Sequence, residues 1–182
     1  MAGYVCPWWG GFFIDNRLRR LLHKPEKILA PYLEPGMTAI DFGCGMGVFS
    51  IAMARMVGDA GRVIAVDVQE KMLEVLGKRA EKAGVAQRIR THRCPPDSIG
   101  VDDQVDFVLA FWSAHETPDV ARLLGRLHGS LAGGGRLLLA EPKGHVRARR
   151  FEKMIAAAER AGLRLESRPP IRLSWAAAFK KP

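Results

Sequence analysis

The chain has 182 residues, of which 48% are hydrophobic, so its size and composition suit one globular domain with a substantial core. Its formal net charge of +9 predicts a basic surface that attracts anions, although the charge alone does not identify a partner. No apolar run approaches the roughly 20 residues that a membrane-spanning helix needs, so we expect a soluble, cytoplasmic protein with no membrane contact.

The segment before residue 36 is predicted to fold over the functional site. An aromatic stretch occupies residues 4–13, and a helix is expected to begin near Pro25 and to bury Ile28, Leu29, Tyr32 and Leu33. We interpret residues 1–35 as an aromatic and helical lid segment and residues 36–182 as the core of a single domain. The alternative is that the aromatic stretch is a simple hydrophobic strap.

From residue 37 onward, short β-rich runs alternate with segments of helical periodicity. The predicted strands are residues 37–42, 62–68, 88–94, 105–112 and 137–141, followed by two more that Pro169 and Pro170 separate. The predicted helices are residues 48–57, 69–83, 118–131 and 146–161, the third ended by Gly133, Gly134 and Gly135. This alternation is typical of an α/β fold with a largely parallel sheet.

The turn after the first strand carries the most informative motif. It reads Asp41-Phe-Gly-Cys-Gly-Met-Gly47, and its glycines allow a sharp turn and the close approach of a ligand. The amides of the following helix and the Asp41 carboxylate suit a ligand with polar ends and a positive charge. A dehydrogenase loop would carry its third glycine or alanine where Val48 stands, which disfavours that class of enzyme.

The sequence Ile40-Asp-Phe-Gly-Cys-Gly-Met-Gly47 resembles the first motif of class I S-adenosylmethionine-dependent methyltransferases, and the element order is similar from about residue 25 to the end. The resemblance implies a Rossmann-like, three-layer sandwich with a seven-stranded, mostly parallel sheet and an antiparallel C-terminal strand. It also implies S-adenosylmethionine as the cofactor, with a loop that wraps its methionine part and consists of Asp41, Gly43, Cys44, Gly45 and Gly47.

Beyond the loop, the resemblance makes Asp67 the ligand of the ribose hydroxyls. Its position supports this role independently, because it ends a predicted central strand about 20 residues after the loop. The less favoured alternative is that Asp67 caps the next helix. Val68 and Gln69 are expected near the adenine. Family members often bind the adenine amino group with an acid after the third strand, where this chain has Cys94, so a backbone carbonyl or Asp97 would have to substitute.

Residues 111–116 are predicted to lie at the mouth of the crevice between the first and fourth strands. His115 is a candidate general base, because imidazole titrates near neutral pH. Methyl transfer can also rely on positioning alone, so a role as pocket wall is equally compatible. The candidates for contact with the acceptor are Trp112, Ser113, Glu141 and His145. For Glu141 the favoured expectation is an ion pair with one of the many arginines.

We therefore expect a methyltransferase with a small-molecule acceptor, which the basic surface would suit if the acceptor is anionic. An RNA-directed methyltransferase is an alternative that the sequence does not favour, because the fourth strand ends in Phe-Trp-Ser-Ala rather than Asn/Asp-Pro-Pro-Tyr/Phe. A non-catalytic protein that binds S-adenosylmethionine is a third interpretation, prompted by Cys94. No metal is expected, because the three cysteines have no metal-ligand spacing. The sequence does not indicate an oligomeric state.

Overall fold

The computed structural model describes residues 23–95 and 99–182, and seven strands lie within these ranges. They are β1 (Thr38–Phe42), β2 (Arg62–Asp67), β3 (Ile89–Arg93), β4 (Val105–Phe111), β5 (Leu131–Pro142), β6 (Arg164–Ser167) and β7 (Ser174–Lys180). The aromatic stretch at residues 4–13 and Asp97 lie outside the described residues. Both therefore stay predictions of the sequence.

The helices of the described residues are α1 (Pro25–Leu29), α2 (Val48–Val57), α3 (Glu70–Lys82), α4 (Val120–Ser130) and α5 (Ala148–Arg160). None of them combines the length and the apolar character that crossing a bilayer demands. The first helix is shorter than predicted: it ends at Leu29, and Tyr32 and Leu33 belong to the turn that follows. Pro31 explains the difference, because it has no N–H to donate to the carbonyl oxygen four residues earlier and so interrupts the helical hydrogen bonds.

The sheet order is β3-β2-β1-β4-β5-β7-β6. Strands β1 to β5 pair in parallel, whereas β7 runs antiparallel to both of its neighbours, β5 and β6. The predicted Rossmann-like class, with a mostly parallel sheet and an antiparallel C-terminal strand, is confirmed. Strand order reverses between β1 and β4, so the carboxyl ends of these two strands border the crevice that such sheets offer to ligands.

Both faces of the sheet are covered by apolar packing. Ile40, Ile64 and Val108 belong to one buried cluster, while Ala39 and Val63, their chain neighbours, belong to the other. This separation follows from the pleat, which directs successive side chains to opposite faces. Because the faces of the sheet are covered, a ligand can reach the polar side chains at the ends of the strands.

The glycine run Gly133–Gly135 departs from the prediction. Helix α4 ends at Ser130 without it, and the run lies inside β5. The pairing of β4 with β5 is irregular there, because Val105 pairs with Leu131 but Phe107 pairs with Arg136. A Cβ on Gly135 would lie 2.9 Å from the carbonyl oxygen of Ala132, so the bulged strand needs glycine for space.

Candidate active site

The glycines after β1 do not share one role. All three have positive φ angles, 69° at Gly43, 53° at Gly45 and 86° at Gly47, a region that favours glycine. A Cβ on Gly43 would lie 2.3 Å from Cβ of Ser113, and one on Gly47 would lie 2.6 Å from Cγ of Leu76. A Cβ on Gly45 would meet nothing within 4 Å. Gly43 and Gly47 thus make room for the protein itself, and Gly45 borders open space.

The loop is held to the sheet by its own backbone and by one buried side-chain pair. The amides of Gly43 and Cys44 both donate to the carbonyl oxygen of Val66, at 2.8 and 3.0 Å. Ser50, on the first turn of α2, donates its hydroxyl to Oδ2 of Asp41 at 2.5 Å. Asp41 therefore ties β1 to α2. No sequence signal pointed to Ser50, because its role depends on how the helix turns back over the strand.

Asp67 lies at the end of β2, against the glycine loop. Its Oδ2 accepts from the amide of Gly45 and its Oδ1 from the amide of Gln69, each at 2.9 Å. Burial raises the pKa of Asp67, and the amides of Gln69, Gly45 and Val68 oppose that rise in part. A carboxylate has about four lone-pair sites, so this group can still accept from ribose hydroxyls. The bond to Gln69 also serves the start of α3, so the two interpretations of Asp67 are compatible.

The neighbourhood of Asp67 on the β3 side is apolar. The amide of Cys94 donates to the carbonyl oxygen of Asp67 at 3.0 Å, and Val68 packs against the buried cluster that contains Cys94 and Ile99. Burial raises the pKa of the Cys94 thiol to about 11 and raises that of Cys44 well above its ordinary value. Both thiols are therefore protonated near neutral pH. Val68 is only half-buried, so among these residues it is the one that can offer an apolar side chain to a ligand.

Trp112 and Ser113 connect the end of β4 to its neighbours. Trp112 has a φ of 60°, which ends the strand one residue before the predicted boundary. Its indole Nε1 donates to Oγ of Ser174 at 2.8 Å, so the ring is held against β7. Ser113 donates its hydroxyl to the carbonyl oxygen of Phe42 at 2.8 Å. Both side chains already have partners within the fold, so they shape the mouth.

His115 and Glu141 meet across the ends of β4 and β5. Glu141 is fully buried, and its Oε1 accepts from the backbone amide of His115 at 3.1 Å. Its Oε2 lies 2.5 Å from Nδ1 of the same histidine. The expectation that Glu141 pairs with an arginine is wrong. Arg150 instead donates to the carbonyl oxygen of His115 at 3.1 Å.

The connection between β5 and α5 and the start of α5 carry several exposed basic residues. The exposed ring of His145 stacks on His115, with 6.0 Å between the ring centroids and 12° between the planes. Lys143 is also exposed, and its Nζ lies 4.6 Å from the ring centroid of Trp175. Arg147 and Arg149 follow, both exposed. His145 therefore lies beside His115, as the prediction of a shared mouth requires.

A cavity of about 350 Å³ lies elsewhere, at the edge of the sheet where β4 and β5 begin. It is lined by residues of the 99–104 segment and by Arg126, Gly129 and Ser130 from the end of α4. None of the candidate site residues lines it. Ligands of open α/β sheets bind at the carboxyl ends of the strands, so we assign the site to the crevice and not to this cavity.

Comparison with known proteins agrees with this geometry. The sequence model of a family described as a methyltransferase domain matches residues 39–135, which contain the glycine loop, Asp67 and His115. The chain belongs to the methyltransferase domain family. The predicted relationship to class I methyltransferases is thereby confirmed, and the matched range is more than half of the chain.

Individual members of the family and solved structures are similar to this methyltransferase-domain chain. A demethylmenaquinone methyltransferase of Bacillus cereus is 28% identical over 109 residues, which cover 60% of this chain and 46% of the relative. The chain thus spans about half the length of the curated relatives it matches. A SAM-dependent methyltransferase from Aquifex aeolicus superposes with a TM-score of 0.85 at 24% identity, covering 96% of this chain and 98% of that one.

The same fold also occurs in a protein named for a different reaction. The cyclase SpnF superposes with a TM-score of 0.74 at 15% identity, covering 87% of this chain and 81% of the cyclase. At such identities the likeness shows the fold alone. The activity of this methyltransferase-domain chain must therefore be argued from its own residues.

Proposed function

We infer that this protein is an S-adenosylmethionine-dependent methyltransferase that acts on a small molecule. The observation that carries the proposal is the hydrogen bond between Asp67 and Gly45, which joins a strand-end acid to the open member of a glycine loop. The two groups border the crevice at the β1/β4 reversal. A nucleoside with a charged amino-acid tail needs both, an acceptor for its ribose hydroxyls and a bare backbone along its tail.

In this proposal each part of the cofactor has a counterpart in the chain. Asp67 accepts the ribose hydroxyls, residues 43–47 line the methionine part, and Val68, Gln69 and the protonated Cys94 border the adenine. Asp41 holds the loop in shape through Ser50. When bound, S-adenosylmethionine supplies a methyl group on a positively charged sulfur. The residues of the chain orient that group toward the mouth and exclude water from it.

The small-molecule acceptor is supported by the relatives and by the shape of the mouth. The relatives that match 60% of the chain are named for demethylmenaquinone. Trp112 and Ser113 wall the mouth with side chains that are bonded within the fold. The exposed Lys143, Arg147 and Arg149 border the same side, so the proposal includes an acceptor that is anionic or becomes so.

Calorimetric titration of the full chain tests the cofactor. We expect S-adenosylmethionine and S-adenosylhomocysteine to bind at a single site and NAD to have no measurable affinity. Turnover is then tested with 1,4-naphthohydroquinone under argon, by following release of S-adenosylhomocysteine. A protein that binds NAD, or that takes up neither adenosyl compound, contradicts the proposal. If the protein binds S-adenosylmethionine but does not turn over this probe, the proposed acceptor is contradicted and the proposed cofactor is still supported.

A further inference from the structure

The contact between Glu141 and His115 restricts the histidine more than a single hydrogen bond would. One carboxylate oxygen accepts from the backbone amide and the other lies within hydrogen-bond distance of the ring. Glu141 is itself held in β5, in register with Trp175 of β7. A buried carboxylate is costly unless hydrogen bonds satisfy it, so this pairing accounts for its position in the strand. It also fixes the direction of the imidazole.

The same contact determines the tautomer of His115. An ionised carboxylate only accepts hydrogen bonds, so the bond at Oε2 requires a proton on Nδ1. In a neutral imidazole the lone pair then resides on Nε2, on the far side of the ring from Glu141. The side chain of His115 is 16% exposed, so one part of the ring reaches the surface. The Nε2 atom of His115 is therefore oriented in advance to accept a proton.

The position of His115 relates this acceptor to the crevice. Two residues earlier, Ser113 occupies the space that a Cβ on Gly43 would fill. The short helix Ala114–Glu116 therefore begins directly against the glycine loop. Within residues 23–95 and 99–182, the titratable and charged groups in contact with His115 are Glu141 from β5, His145 from the connection that follows, and Arg150 from α5. Of these three, Arg150 is a permanent cation, which favours an anion at the mouth.

We propose that Glu141 positions His115 as a general base, and that the acceptor of this protein carries an acidic ring hydroxyl, as phenols, enols and hydroquinones do. The inference rests on the proposed function and extends it to a substrate class. In the balanced step, the acceptor's oxygen, or the ring carbon beside it, bonds to the methyl carbon. The methyl–sulfur bond breaks with its electron pair going to sulfur. The acceptor's hydroxyl proton passes to Nε2 of His115 and then to water. Where the ring carbon is methylated, the hydrogen on that carbon is afterwards lost and the oxygen regains a proton, which restores the aromatic ring.

The first test requires no turnover. Long-range proton–nitrogen NMR spectra of histidine-labelled protein, without cofactor, should show His115 with its proton on Nδ1 and none on Nε2. His115→Asn identifies the signal among the five histidines. In Glu141→Gln the amide can donate as well as accept, so the tautomer should become mixed. His145→Asn, which removes the stacked ring but no hydrogen bond to His115, is the matched control and should leave it unchanged. A proton on Nε2, or an unchanged Glu141→Gln spectrum, overturns the proposal.

The second test separates a base from a structural residue. With 1,4-naphthohydroquinone and saturating S-adenosylmethionine, kcat of the wild type should rise with pH to a plateau as the base loses its proton. His115→Asn should lower kcat by about 10²–10⁴-fold near neutrality. The deficit should shrink near pH ~10, where a phenolic hydroxyl ionises by itself. Glu141→Gln should lower kcat without changing the KM for S-adenosylmethionine. The product's mass and NMR spectra identify the methylated atom.

The two proposals fail in different ways. If the wild type does not bind S-adenosylmethionine in the calorimeter, the proposed function is wrong. If it binds the cofactor but does not methylate the hydroquinone, the proposed substrate class is wrong. If His115→Asn keeps the wild-type rate at every pH, the proposed role of His115 as a base is wrong, whereas the proposed methyltransferase function is unaffected. A deficit of His115→Asn that stays constant up to pH ~10 likewise contradicts a base.

Discussion

The carboxylate of Asp67 accepts a hydrogen bond from the backbone amide of Gly45, with 2.9 Å between Oδ2 and the nitrogen. The bond spans 22 residues of sequence and unites the end of β2 with the middle of the glycine loop. Acid and loop therefore form one structural unit. A substitution at Asp67 should alter the ribose contact and the loop position together.

Asp67→Asn should weaken S-adenosylmethionine binding about tenfold to a hundredfold, since a hydrogen bond to a charged group contributes about 1.5–3 kcal/mol. Isothermal titration calorimetry measures the change. The control is Asp106→Asn. That carboxylate accepts from the amide of Thr38, where β1 begins, and its loss should leave the affinity unchanged. Equal affinities of wild type and Asp67→Asn would exclude the ribose role.

The same substitution should show a defined pH dependence of stability. Burial raises the pKa of Asp67 in the folded protein, so the folded state holds this proton more tightly than the unfolded chain. Ionisation therefore destabilises the fold. The effect is absent below the unfolded value of about 4 and grows until the pH passes the raised folded value. The free energy of unfolding of the wild type should fall relative to Asp67→Asn over that window, as urea denaturation can measure. A wild-type free energy of unfolding that rises with pH relative to that of Asp67→Asn contradicts this prediction.

Gly47→Ala and Gly45→Ala should separate stability from binding. The new methyl group at position 47 would clash with Leu76, and the backbone there has a φ of 86°, which alanine adopts only with strain. We therefore expect a loss of roughly 2 kcal/mol or more in unfolding free energy. At position 45 only the backbone strain applies, about 1 kcal/mol, and the methyl group projects into open space. Gly45→Ala should therefore reduce cofactor affinity more than stability.

A double-mutant cycle tests the contact between position 47 and Leu76. Gly47→Ala should be less damaging in a Leu76→Ala background, because the clash is removed. Identical losses in both backgrounds would mean that the contact with Leu76 does not explain the need for glycine.

The buried thiols should resist alkylation. Because the pKa of Cys94 is about 11, its thiolate fraction at pH 8 is about a hundredfold below that of an ordinary cysteine. In a Cys6→Ser variant, which leaves Cys44 and Cys94, iodoacetamide labelling followed by mass spectrometry should be slow in the folded protein and fast in denaturant. Rapid modification of Cys94 in the folded protein would contradict its burial.

Much of the fold was predictable because burial on both faces leaves a clear mark in the sequence. The run Val63–Val66 is apolar throughout, and helix α2 has the bounds that its apolar run predicts. The places of the loop at 43–47 and of the acid at 67, both at strand ends, were also predicted correctly, while their contacts with a cofactor stay predictions. These features depend on residues close together in the chain.

The contacts that define the acceptor side were not predictable in the same way. Glu141 and His115 meet only because β4 and β5 are parallel neighbours in a particular register, which places Phe111 beside Ala140. An arginine-rich sequence offered many other partners for Glu141. Likewise, the need for a glycine at position 43 was attributed to a ligand, and the structure shows Ser113 in the space that a side chain would occupy. Such pairings depend on tertiary order, which a single sequence does not encode locally.

The shared space of Gly43 and Ser113 limits how this mouth could be redesigned. A bulkier residue at position 113 would push directly on the glycine loop that follows β1, so an attempt to reshape the proposed acceptor pocket there would also alter the proposed cofactor site. His145 and Lys143, which stand at the surface without such a constraint on the loop, are better starting positions for libraries aimed at new acceptors.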